Sequence, residues 1–162
     1  MNKYALKLLL LLSFVPLTLW AGSTNKTIIF TEGNRIQPQW YSTHVDGNPR
    51  IHLYFFWSKR CPHCRRALPL VTKLRESYPW LELHAFELSE NRRNVRLYFA
   101  MTEMIGQRSG SVPGFLFCEQ KIIGYDSEKT TGLELRQKLE ICYQQRVQAS
   151  QIEPPPVKTD DK

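Results

Sequence analysis

Two cysteines separated by two residues, Cys61-Pro62-His63-Cys64, are the part of this 162-residue chain best suited to chemistry. A C-x-x-C pair can be half of a zinc site or a reversible disulfide. A four-cysteine zinc site needs a second close pair, and the remaining cysteines, Cys118 and Cys142, lie far apart in sequence. Position narrows the choice further. The apolar run 51–57 (IHLYFFW) precedes the pair, and a helical pattern begins at Pro62. Cys61 is therefore expected at a helix N-terminus, where unpaired backbone amides and the positive end of the helix dipole favour a thiolate. Cys64, one turn on, would resolve a mixed disulfide formed on Cys61. His63, with Lys59, Arg60, Arg65 and Arg66 around the motif, adds positive potential. These surroundings stabilise the reduced, ionised form and so make the disulfide more oxidising. An oxidase or isomerase of protein thiols is expected over a strong reductant. An inert structural bridge would need neither the helix start nor the cationic collar. The four basic residues read equally well as a solvated face.

Such a pair must be held by a folded domain, and the chain is long enough for one. The hydrophobic fraction is 42%, inflated by the first twenty residues. Residues 1–7 are short and positive, residues 8–19 almost wholly apolar, and Ala21, Gly22 and Ser23 are small. This is the layout of a signal peptide, here residues 1–23, with an uncleaved anchor as the alternative that would tether the domain to a membrane. A periplasmic or secreted location follows, where disulfides persist. The formal net charge is +7, of which Lys3 and Lys7 in the leader account for two. No nucleic-acid motif accompanies it, so scattered basic residues and no nucleic-acid partner are expected.

Periodicity supplies the elements. Residues 27–31 (TIIFT) read as a first strand, and residues 32–50, polar with several Gly and Pro, as loop. Residues 51–57 fit a strand buried on both faces of a parallel-type sheet. A helix follows over 62–77, a strand over 81–88, and a second helix over 92–105 with Val95, Phe99 and Met101 or Met104 toward the core. Two short strands, 115–118 and 121–125, form an antiparallel hairpin linked by Glu119 and Gln120. A last amphipathic helix runs from Gly132 to about Gln145, with Leu133, Leu135, Leu139 and Ile141 on its apolar face. The domain spans 24–146, and the polar tail 147–162 is expected to be disordered. The order predicts an α/β fold, a mixed central sheet with helices on both faces.

The stretch FFWSKRCPHCRRALP, residues 55–69, resembles the thioredoxin superfamily. Trp57 lies four residues before Cys61, as an aromatic does in many members, and Pro69 falls where the family kinks its active-site helix. Ser111-Val112-Pro113 is similar to the family's cis-proline loop, and Gly124 to its last-strand glycine. The match covers residues 51–143 and implies a thioredoxin-like fold. The Pro-His dipeptide resembles that of periplasmic thiol oxidases of the Dsb type, without their large helical insertion. The resemblance implies that Pro113 faces Cys61 and that the Val112 backbone pairs with a substrate peptide, with Trp57 and Pro62 beside it. A trans proline opening a strand is the alternative. Two positions depart from the pattern. Phe55 stands where many members bury a carboxylate, and Glu87 on the next strand either takes that part or is an exposed edge residue. Gly114 follows Pro113 where thioredoxin has a threonine. In the inferred fold Cys118 and Cys142 both fall at the end away from the active site. A structural disulfide between them is expected, with two buried free thiols as the alternative.

No organic cofactor is implied. The expected partners are exported cysteine-containing proteins and a membrane redox protein that resets the pair. Of the remaining histidines, His44, His52 and His84, the last two read as sheet-face residues. A copper(I) carrier using Cys61, Cys64 and one of them is the main alternative function. A redox-inactive partner-binding module is a third.

Overall fold

The continuous apolar run predicted as a buried strand is the centre of the molecule. In the computed structural model, which describes residues 29–32, 35–106 and 108–152, it forms β4, Pro49–Trp57, after β1 (Ile29–Glu32), β2 (Arg35–Pro38) and β3 (Tyr41–Thr43). Side chains alternate across a strand, and here both faces are buried. Ile51, Leu53 and Phe55 face Ala67, Leu70, Val71 and Leu74 of α1 (Pro62–Ser77) and Leu135, Leu139 and Cys142 of α3 (Leu133–Ile152). Tyr54 and Phe56 face Leu97, Tyr98 and Met101 of α2 (Arg92–Met104). Each fully buried Phe or Leu side chain contributes about 2 kcal/mol. The two opposed apolar faces therefore fix helices on both sides of the sheet.

One edge of β4 pairs in parallel with β5 (Leu81–Glu87), from Ile51↔Leu81 to Trp57↔Glu87. The other edge is shared. β3 pairs antiparallel with its start, and β6 (Gly114–Phe117) antiparallel with its end. β7 (Gln120–Ile123) completes the sheet as a hairpin with β6. The result is a mixed α/β architecture, with β1 and β2 in a separate antiparallel hairpin. Because β4 and β5 are parallel and each is followed by a helix, α1 and α2 both begin at the same end of the sheet.

Several sequence expectations need correction. The stretch 32–50 is not all loop: it contains β2, β3 and the start of β4. These strands are too short and polar for their periodicity to stand out. The turn of the late hairpin is Cys118-Glu119 rather than Glu119-Gln120, and both residues have positive φ, 48° and 59°, as a tight hairpin turn demands. On α2, Leu97 and Tyr98 take the core positions expected for Val95 and Phe99, and Met104 is 49% exposed. Phe99 is covered instead by the Arg108 guanidinium, 4.4 Å from the ring centroid. On α3, Leu133 and Ile141 are exposed. Its buried row is Leu135, Leu139 and Cys142, the i, i+4, i+7 line that the Cys142 bridge holds against the sheet. The helix continues to Ile152, so Val147 to Ile152 of the tail expected to be disordered is helical. A five-residue π-helical turn, Glu128–Gly132, leads into it. The leader 1–23, residues 27–28 of the expected first strand and the tail beyond Ile152 lie outside the described residues.

His52 and His84 are sheet-face residues that bond each other. His52 is 3% exposed; its Nδ1 is 3.0 Å from His84 Nε2 and its Nε2 is 2.8 Å from Ser42 Oγ. Arg50 and Glu82 form an ion pair beside them, and Tyr54 packs on the His84 ring. Burial, then the neighbouring His84, pushes His52 down to about 4, and burial lowers His84 as well. The folded state thus refuses a proton that the unfolded chain accepts near 6.5. Stability is fully present above that pH and is lost as pH falls toward about 4. The full shift corresponds to about 3 kcal/mol, and solvent screening lowers the expectation to about 2 kcal/mol. Denaturant unfolding across this pH window measures it. His52→Phe should flatten the profile, and an unchanged profile would exclude His52 as its source.

Candidate active site

α1 begins at Cys61 because the next residue is proline. Proline at the first helical position lacks only an amide that would be unpaired there, and its φ suits the helix. Cys61 is the N-cap, with extended backbone (φ −93°, ψ 116°), and its sulfur accepts the Cys64 amide at 3.1 Å. Cys61 Sγ is half-buried, whereas Cys64 is fully buried. Burial, followed by donation to the Cys61 sulfur, pushes the Cys64 thiol up to about 12. The two sulfurs are therefore unequal: Cys61 can meet a substrate, and Cys64 keeps its proton at neutral pH.

The Val112–Pro113 peptide bond is cis, and the Val112 carbonyl lies 3.6 Å from Cys61 Sγ, within reach of a thiol proton. This loop is fastened on both sides. The Tyr98 hydroxyl donates to the Ser111 carbonyl at 2.6 Å, and Gly124 N–H donates to the Pro113 carbonyl at 2.7 Å. Burial raises Tyr98 to about 12, so it remains a neutral donor. Position 114 has no room for a side chain: a Cβ there would lie 2.3 Å from Tyr98 Oη and 2.8 Å from two ring carbons.

Glu87, at the end of the edge strand β5, is engaged by backbone amides. Its carboxylate accepts the amides of Lys59 (3.2 Å), Ser89 (2.9 Å) and Glu90 (3.2 Å). Hydrogen bonds, from the Ser89 hydroxyl first and then these amides, hold it down at about 2. Ser58 Oγ bonds Ser89 Oγ at 2.6 Å and accepts the Arg60 amide, and the Ser58 carbonyl accepts the Cys61 amide. Glu87 thus ties the β5–α2 loop to the loop that delivers Cys61. Neither this brace nor Tyr98 was evident in the sequence. Gly114, beside the proline loop, is the one sequence feature that could have pointed to a bulky group there.

The other expected residues fall in different places. His63 Nδ1 lies 2.9 Å from the Tyr125 carbonyl and 2.8 Å from Arg66 Nη2. One nitrogen cannot donate to the first and accept from the second at once, so the carbonyl contact requires the Nδ1–H form. With Nδ1–H the ring is anchored on the Tyr125 carbonyl, and with a bare Nδ1 it accepts from Arg66. Pro62 is exposed beside Cys61, whereas Trp57 is half-buried and stacks on Phe55, with centroids 6.5 Å apart. Phe55 itself is fully buried. Cys118 and Cys142 are joined in a disulfide, Cα–Cα 6.6 Å, at the end of β6 opposite the Val112–Pro113 loop. It closes a 24-residue separation and is worth roughly 3 kcal/mol. His52 lies five residues up β4 from Trp57, roughly 17 Å along a strand, and bonds His84. His44 pairs with Asp46. The structure does not bring these histidines to the cysteine pair, and among the described residues no three His, Cys, Asp or Glu side chains group to hold a metal. No helix of the described residues is long and apolar enough to cross a membrane. In comparisons with known proteins, no family model and no curated protein matches this chain.

Proposed function

We propose that the chain is a thioredoxin-like thiol–disulfide oxidoreductase of exported proteins that works mainly as an oxidant or isomerase. The observation that carries this reading is the Cys61 sulfur at a helix N-cap, bonded by the Cys64 amide and facing the Val112 carbonyl. In the oxidising direction a substrate thiolate attacks Cys61 Sγ, the Cys61–Cys64 bond breaks, and Cys64 leaves and takes up a proton. A second substrate thiolate then attacks the substrate sulfur of the mixed disulfide, and Cys61 leaves. Two electrons pass from the substrate to the pair, and a membrane redox protein removes them. The Cys64 thiol, which keeps its proton in its buried place, supports a division of labour in which Cys61 is the sulfur that meets the substrate. The half-buried Val112 backbone beside Cys61 supports strand-like docking of the substrate. The leader pattern of residues 1–23 and the Cys118–Cys142 bridge support an exported location.

The test is disulfide transfer. Protein oxidised at Cys61–Cys64 is mixed with an equimolar reduced two-cysteine peptide, and both are alkylated and weighed. The expected result is one peptide disulfide gained for each pair reduced. Absence of transfer in either direction would overturn the reading.

A further inference from the structure

The end of the sheet that carries Cys61 also carries an unusual arrangement of charge. Helix N-termini are positive and ordinarily attract acidic side chains to their first turns. Neither α1 nor α2 has an acid in its first turn. Arg65 and Arg66 stand there on α1, Arg92 and Arg93 on α2, with Arg60 just before Cys61 and Arg96 one turn further along α2. The two helix starts are neighbours, because Ser58–Ser89, Lys59–Glu87 and Lys59–Glu90 contacts tie their loops together. Lys59 is neutralised by Glu90, and the Glu87 carboxylate is used by backbone amides. Among the described residues no ion pair engages Arg60, Arg65, Arg66, Arg92, Arg93 or Arg96. The nearby acids on the opposite flank are occupied: Glu128 by Lys73 and Arg136, and Asp126 by the Thr130 hydroxyl.

We infer that this arginine arc makes the Cys61 site selective for cysteines and disulfides set in acidic, extended polypeptide segments. The inference rests on the oxidoreductase reading above and names its substrate class. A segment docked on the Val112 backbone beside Cys61 passes the two helix starts, where its carboxylates meet guanidinium groups that no acid pairs and both helix dipoles. Guanidinium groups pair carboxylates through two parallel hydrogen bonds. The same field accelerates encounter with an acidic chain and slows a basic one. An anionic membrane would be drawn to these charges too. Insertion needs apolar anchors, however, and none of the exposed large apolar side chains (Val45, Met104, Leu133, Ile141, Ile152) lies on these helix starts or their loops.

Two peptides of equal length, each with two reduced cysteines, test this, one flanked by Glu and one by Lys. Protein oxidised at Cys61–Cys64 takes two electrons from either, becoming the Cys61, Cys64 dithiol while the peptide becomes a disulfide, and the Cys118–Cys142 bridge stays intact. The second-order rate is read at about 20 mM and about 200 mM salt. The expected result is a preference of about tenfold or more for the acidic peptide at low salt, falling to about threefold at high salt. Arg92→Glu with Arg93→Glu should remove most of that preference and leave the rate on an uncharged peptide unchanged. Equal rates on both charged peptides, with Cys61 reacting normally, overturn the selectivity and leave the oxidoreductase reading intact. Reaction with neither peptide overturns both. Arginine-dependent binding to phosphatidylglycerol vesicles without peptide preference assigns the arc to a membrane and also overturns the inference.

Discussion

Cys61→Ser should lower disulfide transfer by about 10³-fold or more, while Cys64→Ser should leave the first attack intact and stall the second. The asymmetry follows from the environments of the two sulfurs. Cys61 is accessible, caps α1 and touches the Val112 carbonyl. A serine there retains the capping bond but is a far weaker nucleophile near neutral pH. Cys64 is fully buried and pushed up to about 12, so it cannot compete for the substrate. It acts only on a sulfur already attached to Cys61. Mixed with a disulfide peptide, Cys64→Ser protein should accumulate one adduct per chain, mapped by mass spectrometry to Cys61. Adducts on the serine variant of Cys61, or full activity without it, would assign the chemistry elsewhere.

Gly114→Ala should lower stability and activity together, because among the described glycines an added Cβ meets the shortest contact there. The added carbon would lie 2.3 Å from Tyr98 Oη, and the ring cannot retreat. Tyr98 is 1% exposed, packs on Phe56 with centroids 4.6 Å apart, and is tethered to the Ser111 carbonyl. Either β6 or α2 must move, at a cost of about 3 kcal/mol. Both options shift the loop that places Val112 against Cys61, so peptide exchange should fall along with stability. Tyr98→Phe in the same chain removes the hydroxyl but leaves ring carbons at 2.8 Å, so it should rescue only partly. Tyr98→Leu should rescue more of the stability. Chemical denaturation of the single and double variants measures both. A Gly114→Ala protein as stable and active as the parent would show that this packing is looser than described.

The parts of the fold with long, strong periodicity were legible in the residues themselves. The β4 run is apolar on both faces, and α1 is bounded by Pro62 and Pro79, so its observed span matches the expected one. Legibility failed where tertiary partners decide. Val95 and Phe99 lost the core to Leu97 and Tyr98 because the sheet face above α2 is aromatic and Arg108 covers Phe99. Ile141 lost it to Cys142 because a disulfide fixes the roll of α3. In the candidate site the cysteine pair announces itself by spacing, whereas its support comes from residues distant in sequence. Glu87 and Ser89 brace Ser58 and Lys59 across about thirty residues. His63 lies between the cysteines in sequence, yet its Nδ1 sits 2.9 Å from the carbonyl of Tyr125, sixty-two residues away.

The central claim is that Cys61 and Cys64 form one reversible redox couple, and equilibration with glutathione buffers tests it most directly. Alkylation and mass measurement at each ratio should show both cysteines oxidised together as a two-electron couple. The midpoint should be closer to about −120 mV than to about −270 mV. Two thiols that never join, or that take up glutathione independently, would contradict the account.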